Sequence, residues 1–233
     1  MKIFFTWDDG APEDIRLFEL HEKYEIPGMF FVPTQNIEGR KVITSEEIRK
    51  YESNMISFGG HTANHVYLTT IPFEKVENEI ADNKSYLEDV LGHEIEHFCL
   101  PGGKYNKDIL DVSFKYFKTV RTTNTMCFDK SGKLVRPSFH IYPRRIKSLA
   151  GNSLIRNKSV SDFFKVLEMS RKDYFDIIYE FLRIKAEEDS QIVFWGHSWE
   201  IEELGLWEKV EALFSTMRKA YWENLGRYDD ILS

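Results

Sequence analysis

The residues best able to do chemistry are two adjacent carboxylates near the start of the chain and three histidines far from them in sequence. Asp8 and Asp9 follow the apolar run Ile3-Phe4-Phe5-Thr6-Trp7, and Gly10 closes the turn. An Asp-Asp-Gly is ordinarily a turn and no more. At the end of a buried strand, however, two like charges are costly unless a cation compensates them. His61 and His65, in Gly60-His61-Thr62-Ala63-Asn64-His65, have i, i+4 spacing. On a helical turn that sets both imidazoles on one face, where one divalent ion can join them. With Asp9 as an oxygen donor, two His and one carboxylate leave a position for water, the pattern of a catalytic zinc site. The same donors also suit non-haem iron. Asp8 then stands beside the metal as general base. His197, in Gly196-His197-Ser198-Trp199-Glu200, sits where a general acid could approach from the opposite side. Taken alone, His197 reads as a satisfied core histidine; in this constellation the acid role is favoured.

These residues need a scaffold that gathers them. Short apolar runs at 3–7, 28–32, 55–58, 98–100, 119–121 and 192–195 read as strands, and amphipathic patterns lie between them. Thr44 with Glu47 is a capping box that opens a short helix. Val76, Ile80, Leu87 and Leu91 mark a long helix, and Ile109, Leu110, Phe114 and Phe117 another. Tyr174, Ile177, Ile178, Phe181 and Leu182 give a clean helical stripe. Trp207, Val210, Phe214, Met217 and Tyr221 define a closing helix, and 122–161 reads as irregular. Alternating β and α units predict an α/β fold with a parallel sheet. With about six to seven strands it is a distorted or incomplete (β/α) barrel, in one domain spanning 1–233. In such barrels chemistry sits where strands end. Asp8, Asp9, His61, His65, the Pro101-Gly102-Gly103 turn and His197 all fall there.

Composition narrows the function classes. The 233 residues, 42% of them hydrophobic, suffice for a continuous core without disulfides. Cys99 and Cys127 are too few for a disulfide framework, which fits a reducing compartment. No apolar run approaches the roughly eighteen residues of a membrane helix. The early carboxylates interrupt any signal peptide. The expectation is a cytoplasmic protein with no membrane span. With 31 Lys+Arg against 38 Asp+Glu, the net charge of −7 argues against nucleic-acid binding. One segment opposes this average. Residues 130–158 hold Lys130, Lys133, Arg136, Arg144, Arg145, Lys147, Arg156 and Lys158 with no Asp or Glu, and without those eight charges the chain stands at −15. The segment is either a solvated loop region or a positive rim for an anionic substrate or partner.

With these residues in view, the chain resembles the polysaccharide deacetylases of the NodB-homology group (carbohydrate esterase family four). The matching motifs are Thr6-Trp7-Asp8-Asp9-Gly10, His61-Thr62-Ala63-Asn64-His65, Leu100-Pro101-Gly102-Gly103 and Phe194-Trp195-Gly196-His197, in family order across residues 6–197. The Gly-His-Ser-Trp-Glu ending is most similar to a subgroup named after gellan lyase. The resemblance implies a distorted barrel and removal of N-acetyl groups from an amino sugar, in a glycan or its lipid- or nucleotide-linked precursor. It implies a divalent metal, zinc before cobalt, nickel or manganese. Carried over by residue, Asp8 is the base, Asp9, His61 and His65 the ligands, and His197 the acid. A backbone N–H of the Pro101-Gly102-Gly103 turn would stabilise the oxyanion. The partner is a carbohydrate, an anionic one if the basic segment faces it. A deformylase acting on an N-formyl amino sugar would use the same residues. A non-catalytic carbohydrate-binding protein that keeps the barrel is the alternative from another class.

Two departures from the family pattern matter. Many relatives carry an Arg two residues before the turn proline, where it orients the base; here that position is Cys99. Arg121, at the end of a neighbouring strand, is expected to supply the charge instead. Trp7 replaces the usual Phe, a change expected to adjust packing. Among other aromatics, Trp195, Trp207 and Trp222 read as packing residues. Trp199 is the candidate to stack on a sugar ring, and Glu200 either binds a sugar hydroxyl or faces solvent.

Overall fold

The computed structural model describes residues 1–233. Its eight strands are β1 (Lys2–Asp8), β2 (Gly28–Val32), β3 (Ile56–Gly60), β4 (His97–Cys99), β5 (Thr119–Arg121), β6 (Leu134–Val135), β7 (Phe139–His140) and β8 (Gln191–Gly196). They form one sheet in the order β6-β5-β4-β3-β2-β1-β8-β7, and every neighbouring pair is parallel. The helices are α1 (Asp14–Tyr24), α2 (Ser45–Tyr51), α3 (Phe73–Leu91), α4 (Lys107–Tyr116), α5 (Ile146–Gly151), α6 (Val160–Glu168), α7 (Tyr174–Lys185), α8 (Ser198–Glu203) and α9 (Trp207–Ala220). The Thr44–Glu47 capping box is formed at the start of α2.

Chain connectivity dictates the curl. β6 and β7 lie at opposite edges of the sheet, yet only Arg136, Pro137 and Ser138 separate them. Four residue steps reach about 14 Å at most. A flat eight-stranded sheet would set its edges about 34 Å apart. The sheet must therefore bend round until its edges nearly meet. No ladder joins β6 to β7, so the seam stays open. The result is an incomplete (β/α) barrel of eight strands. The sixth and seventh strands are two residues long and lie in the stretch that reads as irregular from sequence. Too short to show a period of two, they are held by tertiary pairing alone.

Strand alternation sorts the side chains. Ile3, Phe5 and Trp7 face outward into the large core shared with the helices. Phe4 joins Met29, Phe31, Cys99, Val135 and Val193 in a smaller cluster, closed by Tyr228 and Ile231 from the C-terminal end. Asp8 shares the period of Phe4 and Thr6, so it belongs to the barrel interior. Trp222, expected as packing on the closing helix, lies beyond Ala220 on a short 3₁₀ turn and is 57% exposed.

The outward Trp7 is more than filler. Its indole N–H donates to His21 Nε2 at 2.7 Å, and His21 Nδ1 lies 2.7 Å from the Ile26 carbonyl oxygen. A carbonyl only accepts and an indole N–H only donates, so His21 is neutral with its proton on Nδ1. Gly28 leaves room for the ring; a Cβ there would lie 2.5 Å from His21 Cε1. Burial lowers the His21 pKa to about 4, against the pull of the Ile26 carbonyl. A depressed histidine stabilises the fold above its unfolded pKa near 6.5, and that stability drains away as pH falls towards 4. The slope is about 1.4 kcal/mol per pH unit. The expected result is a urea midpoint that drops between pH 7 and 5 while the His21 ring resonance in NMR stays at its neutral position. A His21 ring that titrates near 6.5 would remove this account.

Candidate active site

All the chemistry-bearing residues lie at the C-terminal ends of the strands, as barrel geometry requires. Asp8 ends β1 and Asp9 follows it with φ of 78°, a left-handed conformation that Asp tolerates better than most residues. His61 follows β3, Arg121 ends β5, His140 ends β7 and His197 follows β8. Asp8, Asp9, His61, His65, His197 and Trp199 line a cleft of about 290 Å³, while Arg121 and His140 are buried behind its wall.

Asp9 is the hub. Its Oδ1 lies 2.9 Å from His65 Nε2 and 3.4 Å from His61 Nε2, and its Oδ2 accepts the Trp199 indole N–H at 2.8 Å. The segment joining the histidines is not helical. Thr62 and His65 take positive φ of 68° and 54°, and these reversals, not a helical turn, bring the rings to 5.1 Å. His61 Nδ1 meets the Cys99 carbonyl at 2.8 Å, which fixes the ring and aims Nε2 at Asp9. That is how a second partner orients a metal-binding imidazole. The three side-chain atoms, one each from Asp9, His61 and His65, sit within 4.8 Å of one another and are buried, a donor set that fits a divalent cation. Burial would raise the Asp9 carboxyl, but His61 and His65 hold it far below the usual carboxylate range.

Asp8 faces the other way. Its Oδ1 pairs with the Arg121 guanidinium, which is fully buried, and the Cys99 thiol lies 3.6 Å from Oδ2. Burial pushes the Asp8 carboxyl up; Arg121, with His61 and His197, more than reverses this and keeps it ionised. The guanidinium lies 5.2 Å from the Phe31 ring and 5.3 Å from Trp195. Trp195 is buried, yet it also lines the cleft, so packing and site share it.

On the far wall, His197 Nδ1 is 2.7 Å from Glu200 Oε2, and its Nε2 points towards Asp9 Oδ2 at 3.9 Å. Burial would lower the imidazole, but Glu200 and the carboxylates of Asp9 and Asp8 raise it to about 9. Glu200 also lies 2.9 Å from His140 Nε2, so it braces both rings instead of facing solvent. His140 stacks on Trp195 at 3.8 Å, and Arg144 donates to its Nδ1 at 2.6 Å. Of the Pro101-Gly102-Gly103 turn, only Gly102 reaches the cleft. Proline has no N–H, and that of Gly103 donates to the Leu100 carbonyl at 2.8 Å, which leaves Gly102. Gly102 has φ of 62°, and a Cβ there would lie 2.8 Å from Tyr67 Cε1.

Several contributors have no clear mark in the sequence. Glu38 and Arg40 reach the cleft from the loop after β2, and Tyr67 from two residues beyond His65. The Arg40 guanidinium covers one face of the Trp199 ring at 3.6 Å. His140 could have been found by the rule that located the others, had the two-residue β7 been visible.

An open parallel barrel with carboxylates and histidines converging at its strand ends defines the class: an α/β barrel with a polar cleft over the carboxyl ends of its strands. Residues 1–117 match the family model for polysaccharide deacetylase, and the chain belongs to that family. The match takes in Asp8, Asp9, His61, His65 and the Pro101 turn; Arg121, His140 and His197 lie beyond it. A peptidoglycan-N-acetylglucosamine deacetylase from Bacillus cereus is 27% identical over 118 residues, 50% of this chain and 51% of that protein. The chain thus spans about half the length of this relative. In fold, it is similar to a family 4 carbohydrate esterase from Streptomyces lividans solved with acetate, with a TM-score of 0.56, 14% identity and coverage of 93% of this chain and 89% of that one. It is also similar to a family pseudoenzyme from Bacillus anthracis, with a TM-score of 0.57, 11% identity and coverage of 100% and 65%.

Proposed function

We propose that the protein is a metal-dependent hydrolase that removes N-acetyl groups from an amino sugar in a glycan or glycan precursor, with residues 1–233 forming one catalytic domain. The observation that carries this reading is the division of labour between adjacent carboxylates: Asp9 is held by two imidazoles and Asp8 by a buried guanidinium. Asp9, His61 and His65 would hold the metal, zinc before cobalt, nickel or manganese. A bound divalent ion lowers the pKa of a coordinated water towards about 7 and polarises the amide carbonyl. Asp8 accepts one proton from the attacking water as its oxygen bonds to the carbonyl carbon. The Gly102 N–H, shaped by Pro101 and Gly103, donates to the oxygen that gains charge. His197, braced by Glu200, donates a proton to the nitrogen as the C–N bond breaks, leaving a free amine and acetic acid, which carries the second water proton and ionises on release. Trp199 positions Asp9 and keeps an edge on the cleft for the sugar.

No helix is long and apolar enough to cross a membrane. The two buried free thiols suit a reducing compartment, and we place the reaction in the cytoplasm. Cys99 at the position of the family arginine favours one competing reading, a carbohydrate-binding protein without turnover. Metal dependence separates the two. Chelation followed by dialysis should abolish amine release from N-acetylglucosamine oligomers, and stoichiometric zinc or cobalt should restore it. Protein that holds one metal per chain yet releases no amine would favour the binding reading, while faster release from N-formyl sugars would favour a deformylase.

A further inference from the structure

Beside the cleft lies a second cavity of about 220 Å³, built differently from the first. Arg144 and Arg156 line it, with the hydroxyls of Thr123, Thr125 and Ser148 and the amide of Asn152. No carboxylate does. Thr123 and Trp195 line both cavities, so the two are contiguous.

The two arginines are anchored without being neutralised. Arg144 donates to His140 Nδ1 at 2.6 Å, and Arg156 donates to Asn124 Oδ1. Each guanidinium carries five donors, so most remain for a ligand. The Asn152 amide is held in turn by Thr125 Oγ1 at 2.8 Å. Across the basic segment only Lys130 has a carboxylate within ion-pair distance, at 3.0 Å from Asp189. The others lack the acidic partners that a solvated salt-bridge face would show. The backbone here is also unusual. After α5, residues Asn152–Arg156 form a π-helical turn, closed by the Asn157 N–H to the Asn152 carbonyl at 3.1 Å. Such turns are rare and concentrate at functional sites. This one carries Asn152 and Arg156, two of the cavity's donors.

We infer that this cavity is an oxyanion subsite that holds a phosphate group carried by the amino-sugar substrate. The inference rests on the deacetylase reading for its orientation: the N-acetyl group lies in the cleft, and the phosphate reaches past Thr123 and Trp195 to the arginines. Thr123 Oγ1 already donates to the Gly102 carbonyl at 3.2 Å, but two guanidinium forks with the hydroxyls of Thr125 and Ser148 and the remaining N–H of the Asn152 amide supply more donors than a carboxylate has lone-pair positions, and they suit a tetrahedral oxyanion. Of the eight cations in the segment, Arg144 and Arg156 line the subsite, while Lys130, Lys133, Arg136, Arg145, Lys147 and Lys158 do not.

The test compares metal-loaded full-length protein on N-acetylglucosamine, its 1- and 6-phosphates and N-acetylmuramic acid. The better phosphate ester should exceed the neutral sugar in kcat/KM by tenfold or more. Arg156→Gln and Arg144→Gln should each cut that ratio by about tenfold, as loss of a charge-assisted pair implies, whereas Lys147→Gln should preserve it. Equal or better use of the neutral sugar overturns the subsite, as does a Lys147→Gln effect matching those of the arginine variants. Preference for N-acetylmuramic acid overturns the assignment to phosphate. If no substrate releases amine, the deacetylase reading fails by itself. Calorimetry with inorganic phosphate and acetate on metal-free protein then decides the subsite. Phosphate binding at least tenfold weaker in Arg156→Gln supports it, and equal binding, or tighter binding of acetate, rejects it.

Discussion

Asp8→Asn should lower kcat/KM for amine release by ~10²–10⁴-fold, the usual contribution of a positioned general base, while the variant still binds one metal ion. The amide keeps the shape of the carboxyl, so the Arg121 guanidinium retains an oxygen to donate to, but the charge that accepts the proton is gone. The substitution also strands a buried cation. Losing one member of such a pair costs ~3–5 kcal/mol, so activity is compared at a temperature where circular dichroism shows the wild-type fold. Asp9→Asn differs in kind, because it weakens the donor set and should reduce metal content along with turnover. Turnover by Asp8→Asn within tenfold of wild type would mean that another group takes the proton. Loss of metal from Asp8→Asn would mean that the two carboxylates do not divide their roles as proposed.

The parts of this site that were legible in sequence share one property: each announces itself locally. Asp8 and Asp9 end an apolar run that can only be a buried strand, and the Thr44–Glu47 capping box is written in four residues. The parts that were not legible depend on contacts between distant segments. β6 and β7 are two residues each, and only the short Arg136-Pro137-Ser138 link reveals that the sheet curls until its edges nearly meet. The spacing of His61 and His65 suggested a helical turn, yet two positive φ angles achieve the same convergence by another route. Trp199 offered a ring for a sugar. Its N–H instead holds Asp9 and its face carries Arg40, partners 190 and 159 residues away in sequence. Trp7 is the reverse case: a substitution expected to affect packing turns out to fix the tautomer of His21.

Arg121→Ala should cost at least as much turnover as Asp8→Asn and more stability, because it leaves the Asp8 carboxylate buried without its counter-charge. The reason lies in strand register. Cys99 and Arg121 are direct partners across β4 and β5. The Cys99 thiol reaches Asp8 Oδ2 and the Arg121 guanidinium reaches Oδ1. The family's arginine position and this chain's arginine therefore address one carboxylate from adjacent strands. The exchange Cys99→Arg with Arg121→Cys moves the guanidinium across the ladder without changing the pair's total side-chain volume. It should recover kcat/KM to within about tenfold of wild type, where Arg121→Ala alone recovers nothing. Unchanged turnover in Arg121→Ala would show that Asp8 needs no buried cation. If Arg121→Ala is inactive and the exchange folds but stays inactive, the charge must come from the β5 side, and Cys99 is then part of the geometry rather than a vacancy that Arg121 fills.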